Sequence, residues 1–210
     1  MKNTLIRKAF CKFIRGQNNQ QPMNRFGRHI FLLPLFVAFV CRLPAQISPL
    51  YFDKITSQDG LSNNKVNCIL QDTRGFIWFG TDDGLNRYDG NNFTIFRNQP
   101  GNPNWISGNM ITDLLEDKNG VLWIATADGG LTRYDYRLSP RRQFIQYKHL
   151  PADTNSIPVN MLNDLLEDSR GDIWIATSGA GVLKFDKQRQ SFSRVGLGPG
   201  STCLDLAFDD

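Results

Sequence analysis

Asp117-Lys118-Asn119-Gly120-Val121-Leu122-Trp123-Ile124-Ala125-Thr126 decides the fold, because the same pattern is written three times in this chain. Asp72-Thr73-Arg74-Gly75-Phe76-Ile77-Trp78-Phe79-Gly80-Thr81 precedes it, and Asp168-Ser169-Arg170-Gly171-Asp172-Ile173-Trp174-Ile175-Ala176-Thr177 follows it. The tryptophans stand 45 and 51 residues apart. A period of that size marks a tandem architecture rather than one irregular domain. Each copy runs on into a glycine turn and a short apolar stretch: Gly84–Asp89, Gly130–Asp135 and Gly181–Asp186. Each is preceded by an Asn followed two residues later by Val, Ile or Leu, at Asn64, Asn109 and Asn160.

Every unit offers four short strand candidates with turn residues between them. In the first unit they are Val66–Gln71, Phe76–Thr81, Leu85–Asp89 and Phe93–Arg97. After residue 46 no apolar stripe of helical period is long enough to matter. Four strands every 45 to 51 residues predict all-β propeller blades, at about 62–97, 107–148 and 158–195. In the repeated turn, Asp can accept backbone hydrogen bonds while Gly supplies positive φ. The tryptophans then furnish apolar area between neighbouring sheets. Asp72, Gly75, Trp78, Asp117, Gly120, Trp123, Asp168, Gly171 and Trp174 are accordingly read as structural, and no metal or cofactor is expected from them. Thr202–Asp209 restarts the first strand of a fourth unit at about residue 201, and Phe52–Thr56 matches the last strand of a blade. The expectation is an incomplete propeller whose remaining blades belong to a longer chain.

The segment before the repeats is different. Of 24 basic residues, eight lie before residue 46, where there is no acidic residue; the rest of the chain holds 16 basic against all 20 acidic residues. The overall charge of +4 therefore belongs to the leader, and no basic stripe is left to neutralise a nucleic acid. Arg25 and Arg28 precede an apolar run from Ile30 to Val40, and Leu43-Pro44-Ala45 follows it. This is the order of a secretory signal helix, with Met23 an alternative start. Eleven helical residues span roughly 16 Å against a hydrocarbon core of about 30 Å, so cleavage after residue 45 is expected rather than a permanent anchor. Cys68 and Cys203 form no disulfide framework, and Cys203 shares a repeat column with Val66, Ile111 and Leu162, which predicts a small buried hydrophobe.

At Asp59-Gly60-Leu61-Ser62-Asn63-Asn64, and again from Asp72 to Gly90, the sequence resembles the two-component regulator propeller repeat. The resemblance extends over about residues 50–210. It implies the N-terminal part of the periplasmic sensor of a hybrid two-component histidine kinase of the Bacteroidetes kind. Such proteins carry many blades, an inner-membrane helix and kinase modules, sense oligosaccharides, and act as homodimers.

Alternating strand direction puts the turn between the second and third strands on the same face as the loops between blades. Trp105, Asp82, Asp83, Asp128 and Asn109 fall on that face and form the candidate oligosaccharide site, an aromatic plane beside carboxylates and an amide. The plain alternative gives Trp105 to blade packing and Asn64, Asn109 and Asn160 to loop caps. Arg87, Arg133 and Lys184 recur at one strand position, as a repeated turn or surface contact would. No catalytic residue is assigned: His149 is the one histidine after the leader, and no nucleophile motif accompanies it. A carbohydrate-active propeller enzyme and a protein-interaction module stand as the other function classes.

Overall fold

The structure is a computed structural model that describes residues 53–196, 198 and 200–207; the proposed leader lies outside them. Twelve strands follow a short 3-10 turn at Ser57–Asp59: β1 Val66–Gln71, β2 Ile77–Thr81, β3 Gly84–Tyr88, β4 Phe93–Phe96, β5 Ile111–Glu116, β6 Leu122–Thr126, β7 Leu131–Tyr134, β8 Phe144–Tyr147, β9 Leu162–Glu167, β10 Ile173–Thr177, β11 Val182–Asp186 and β12 Ser191–Val195. They form three antiparallel four-stranded sheets, β1–β4, β5–β8 and β9–β12, each paired in chain order. The all-β, incomplete propeller read from the sequence is what is found.

The repeated turn explains why each unit folds locally. Asp117 Oδ1 accepts the N–H groups of Asn119 and Val121, and Gly120 N donates to Asp117 O. The glycines of the three turns have φ of 92°, 73° and 89°, where a side chain would be strained. At the opposite end of each second strand, the hydroxyls of Thr81, Thr126 and Thr177 donate to the carbonyls of Gly84, Gly130 and Gly181. Asp and Thr therefore close the two ends of every second strand, and the strand between them carries the Trp.

Blades then stack face to face. Trp78 packs with Phe96 of its own blade and Tyr134 of the next, with ring centroids 5.9 and 5.7 Å apart. Trp123 meets Phe185 of the third blade at 5.4 Å. Leu114 and Leu165, on the inner strands of the second and third blades, are 6% and 5% exposed, while Ile69 in the same column of the first blade is 64% exposed. The difference is positional: Leu114 and Leu165 each face a preceding blade, and Ile69 has none among the described residues. Burying such a side chain is worth about 2 kcal/mol, so this open face is a substantial unsatisfied apolar surface.

Residues 201–207 lie where the inner strand of a further blade belongs. Gly84 N donates to Asn109 O and Gly130 N to Asn160 O; Gly181 N donates to Ser201 O in the same way. Asn67 Nδ2 donates to Ile111 O, and Asn163 Nδ2 donates to Cys203 O. Only an isolated bridge between Ser178 and Thr202 forms here, because a lone strand has no second ladder to hold its pleat.

Two expectations are corrected. Residues 53–56 adopt no strand; Thr56 instead caps the 3-10 turn, its side chain accepting from Gln58 N. An outer strand needs a blade to pair with, and none is present among the described residues. Cys203 is half-buried rather than buried, since the seam that covers Ile111 and Leu162 completely is not assembled around it.

Candidate functional site

The loop face predicted to hold a ligand is largely occupied by its own hydrogen bonds. Asn64, Asn109 and Asn160 each accept a backbone N–H through Oδ1, from Ser57, Asn98 and His149 at 2.6 to 2.7 Å. They are loop caps. Asp128 accepts the N–H groups of Asn109 and Met110. Asp82 is paired with Lys65 Nζ at 2.8 Å and with Asn67, and these two hydrogen bonds hold its carboxyl below the usual carboxylate range. Asp83 pairs with Arg97 at 2.9 Å.

Trp105 does not present a free aromatic plane. Its ring sits 5.7 Å from Phe96 and 5.4 Å from Phe144, half-buried on the seam between the first two blades. The reason lies in the loop itself: Ile106, next to it, is fully buried, and Gln146 Nε2 ties down the carbonyls of Asn102, Trp105 and Ile106. The five candidate residues thus surround the loop face without converging on one pocket. A cleft of about 310 Å³ does open beside Trp105, lined by Gln99, Gly101, Asn102, Pro103, Gln146 and Lys148.

On the opposite face, each repeated Asp does more than shape its turn. Asp72, Asp117 and Asp168 accept the indole N–H of Trp78, Trp123 and Trp174 at 2.9, 3.0 and 3.0 Å. Burial raises the pKa of Asp117, but bonds from Lys187, Trp123 and Val121 together carry it below the usual range. Arg87 and Lys184 stand opposite Trp78 and Trp174 in their sheets and lie 6.0 and 5.6 Å from those rings. Arg133 stands opposite Trp123, yet the cation over that ring is Lys187, at 5.9 Å. The recurring basic position is therefore a Trp contact in two blades and is diverted in the middle one.

A second arrangement was invisible in the motif. Asp113 and Asp164 occupy one column of the inner strands, and each accepts a backbone N–H from the next unit, Leu165 at 2.9 Å and Leu206 at 2.8 Å. Burial, with the Asp164 carboxylate adding to it, pushes Asp113 up to about 7. Cys68 fills the same column in the first blade, and burial beside Asp113 pushes its thiol up to about 12, so it is held as an inert thiol.

The family described as two component regulator propeller matches residues 60–83, 106–128 and 156–179. Histidine kinase P4 of Formosa agariphila is 45% identical over 71 residues, which are 34% of this chain and 5% of the kinase. The extracellular domain of a hybrid two component system from B. thetaiotaomicron superposes with a TM-score of 0.62 at 30% identity, covering 68% of this chain and 20% of that domain. That of a one component system from the same organism is 33% identical, with a TM-score of 0.48, over 60% of this chain and 17% of its own length. The chain thus spans a fifth or less of the length of these three relatives.

Proposed function

We propose that this chain, which carries two-component regulator propeller repeats, is part of the ligand-sensing propeller of a two-component receptor, exported to the periplasm and without catalysis of its own. The observation that carries this reading is the superposition of its blades on the extracellular domain of a hybrid two component system, in a chain whose three repeats match the regulator propeller family. On this reading the blades act within a longer, membrane-anchored and dimeric parent, and docking of further blades covers the open faces at Ile69 and Trp174.

Oligosaccharides are the proposed ligand class. Support comes from the loop face, where amide and lysine groups of Gln99, Asn102 and Lys148 border an open cleft beside the packed Trp105. Sugar hydroxyls are recognised by such groups, and loops on a rigid scaffold are where binding residues gather. The loop acids support a non-catalytic role, because Asp82, Asp83 and Asp128 are committed to Lys65, Arg97 and two backbone N–H groups. The test is to present the chain to a glycan array and assay reducing ends after incubation with each hit. Binding without release of reducing ends is expected. Release would replace the reading with a glycoside-cleaving enzyme, and an empty array would favour a protein partner.

A further inference from the structure

The seam between the second and third blades differs from the seam between the first and second in one respect. In the first seam, the guanidinium of Arg74 lies 3.7 Å over the ring of Tyr136 and 5.1 Å from Phe76, so the space beside the repeated turn is filled. The equivalent positions in the second seam are Asn119, Lys187 and Val121, all smaller or more slender at their tips. What remains is a cavity of about 540 Å³, lined by Asp117, Asn119, Val121, Trp123, Arg133, Arg137, Lys187 and Gln190. It opens on the face of the Asp-Gly turns, away from the loop cleft.

Its chemistry follows from which charges reach solvent. The acidic partners are buried: the side chains of Asp117, Asp135 and Glu167 are 2%, 6% and 8% exposed. The cations they hold are more open: Lys187, on Asp117 and Glu167, is 18% exposed, and Arg133 and Arg137, on Asp135, are 26% and 49% exposed. Carboxylates thus anchor the cations from beneath, and the accessible rim is made of N–H donors. Arg133 is the least committed of them. Its one contact to Asp135 is long, at 3.3 Å, and Lys187 has taken its place over Trp123. A guanidinium has five N–H donors in a planar fork, so most of this one is free to meet a ligand.

Gln190 supplies a fixed amide at the same place. Among the described residues it is the non-glycine residue with a left-handed backbone, φ 53°, and its side chain borders this cavity. Its amide is held in place by Tyr147 Oη donating to Oε1 and by its own Nε2 donating to Lys187 O. The left-handed residue closes the turn between β11 and β12, as such hairpin turns commonly require, and this sets the amide at the cavity rim.

We infer that this seam is a binding site for a small hydroxylated organic oxyanion of about monosaccharide size, with Arg133 meeting the anionic group and Asn119 and Gln190 the hydroxyls, while Arg137, its fork bonded to Asp135, adds positive charge beside it. The planar fork of Arg133 suits a carboxylate or a sulfate ester alike, and the cavity exceeds what an inorganic ion fills. This site does not depend on the oligosaccharide reading of the loop face.

The test uses the whole chain, with the indole N–H resonance of Trp123 as the reporter and glucuronate as the probe. Glucose, which lacks only the carboxylate, and inorganic sulfate are the comparisons. Saturable glucuronate binding is expected, with glucose at least ~10-fold weaker, as loss of a charge-assisted contact requires. Arg133→Gln should abolish it, and so should Asn119→Arg with Val121→Phe, which rebuilds the filled seam of the first two blades. Equal response to glucose and glucuronate overturns the inference, as does sulfate binding with the affinity of glucuronate, which would leave an ion site only. Persistence of glucuronate binding in Arg133→Gln also overturns it, and needs no refilled variant to fold. Hits on a glycan array without glucuronate binding would leave the sensing role standing and remove this site alone.

Discussion

Asp117 Oδ2 accepts the indole N–H of Trp123 at 3.0 Å, six residues along the chain and buried from solvent. One carboxylate therefore shapes the turn through Oδ1 and fixes the largest core side chain of the blade through Oδ2. A buried indole N–H left without a partner costs ~1 to 3 kcal/mol, which makes the pair more than a turn device. The same carboxylate oxygen also receives Lys187 Nζ at 2.7 Å from the next blade.

Asp117→Ala should destabilise the chain by about 3 kcal/mol or more, since it orphans two backbone N–H groups and the buried Trp123 indole and leaves Lys187 with Glu167 alone. Asp168→Ala should cost less, roughly 1 to 2 kcal/mol, because the Trp174 indole it orphans is only partly covered, whereas Trp123 is buried. Urea unfolding followed by tryptophan fluorescence ranks the two; an equal cost would contradict the weight given to burial of the indole.

Stability should fall as pH rises from about 4 to about 7. Asp113 has its folded pKa raised to about 7, so it binds a proton in the folded chain that it has already lost when unfolded. That contribution is complete below the unfolded value near 4 and is gone once pH passes the folded value. The groups facing it are Cys68 on β1, Asp164 on β9 and the N–H of Leu165. Asp113→Asn keeps an acceptor for Leu165 and removes the titration. It should flatten the profile over this window and raise stability at pH 8 by roughly 1 to 2 kcal/mol. Thermal unfolding midpoints at half-unit pH steps read both effects.

Among the described residues, the Thr112 hydroxyl is buried without a partner. Its column holds Asn67 in the first blade and Asn163 in the third, whose amides donate across the seam to the next unit at 2.9 and 2.6 Å. Thr112→Asn should let the middle blade make the same bond to Leu162 O and stabilise it by about 1 kcal/mol. A loss of stability would mean that the middle seam is too tight for the amide.

The faces at Ile69 and Trp174 should make residues 46–210 associate. Exposed apolar sheet faces of this kind drive self-association unless a partner covers them. Sedimentation should show oligomers, and Ile69→Lys should shift the distribution toward monomer, as a charge placed on the open face repels a second copy. A monodisperse wild-type monomer would show that the open faces are tolerated.

Most of the fold is written in short local patterns. In the first unit the strands found match those read in the sequence to within one residue at their ends, because the turn chemistry of Asp, Gly and Thr acts within ten residues and repeats in each unit. The candidate ligand site was legible only as an address. Its residues do lie on the predicted face, but Asn109 and Asp128 are spent on backbone N–H groups and Trp105 on Phe96 and Phe144. Sequence pattern cannot separate an exposed polar side chain from one already paired.

What the sequence alone determined, then, is the blade: three four-stranded units and the turn that closes each one. What only the tertiary structure decided is the space between blades. There Arg87 lies over the Phe76 and Trp78 rings while Arg133, its counterpart in the second blade, keeps one long contact to Asp135, and Asp113 meets Asp164 from a different sheet. The contacts that settle these outcomes join residues about fifty positions apart, so identical motifs end in different surroundings. A turn depends on its own few residues, whereas a seam depends on two faces that meet only after both blades have folded.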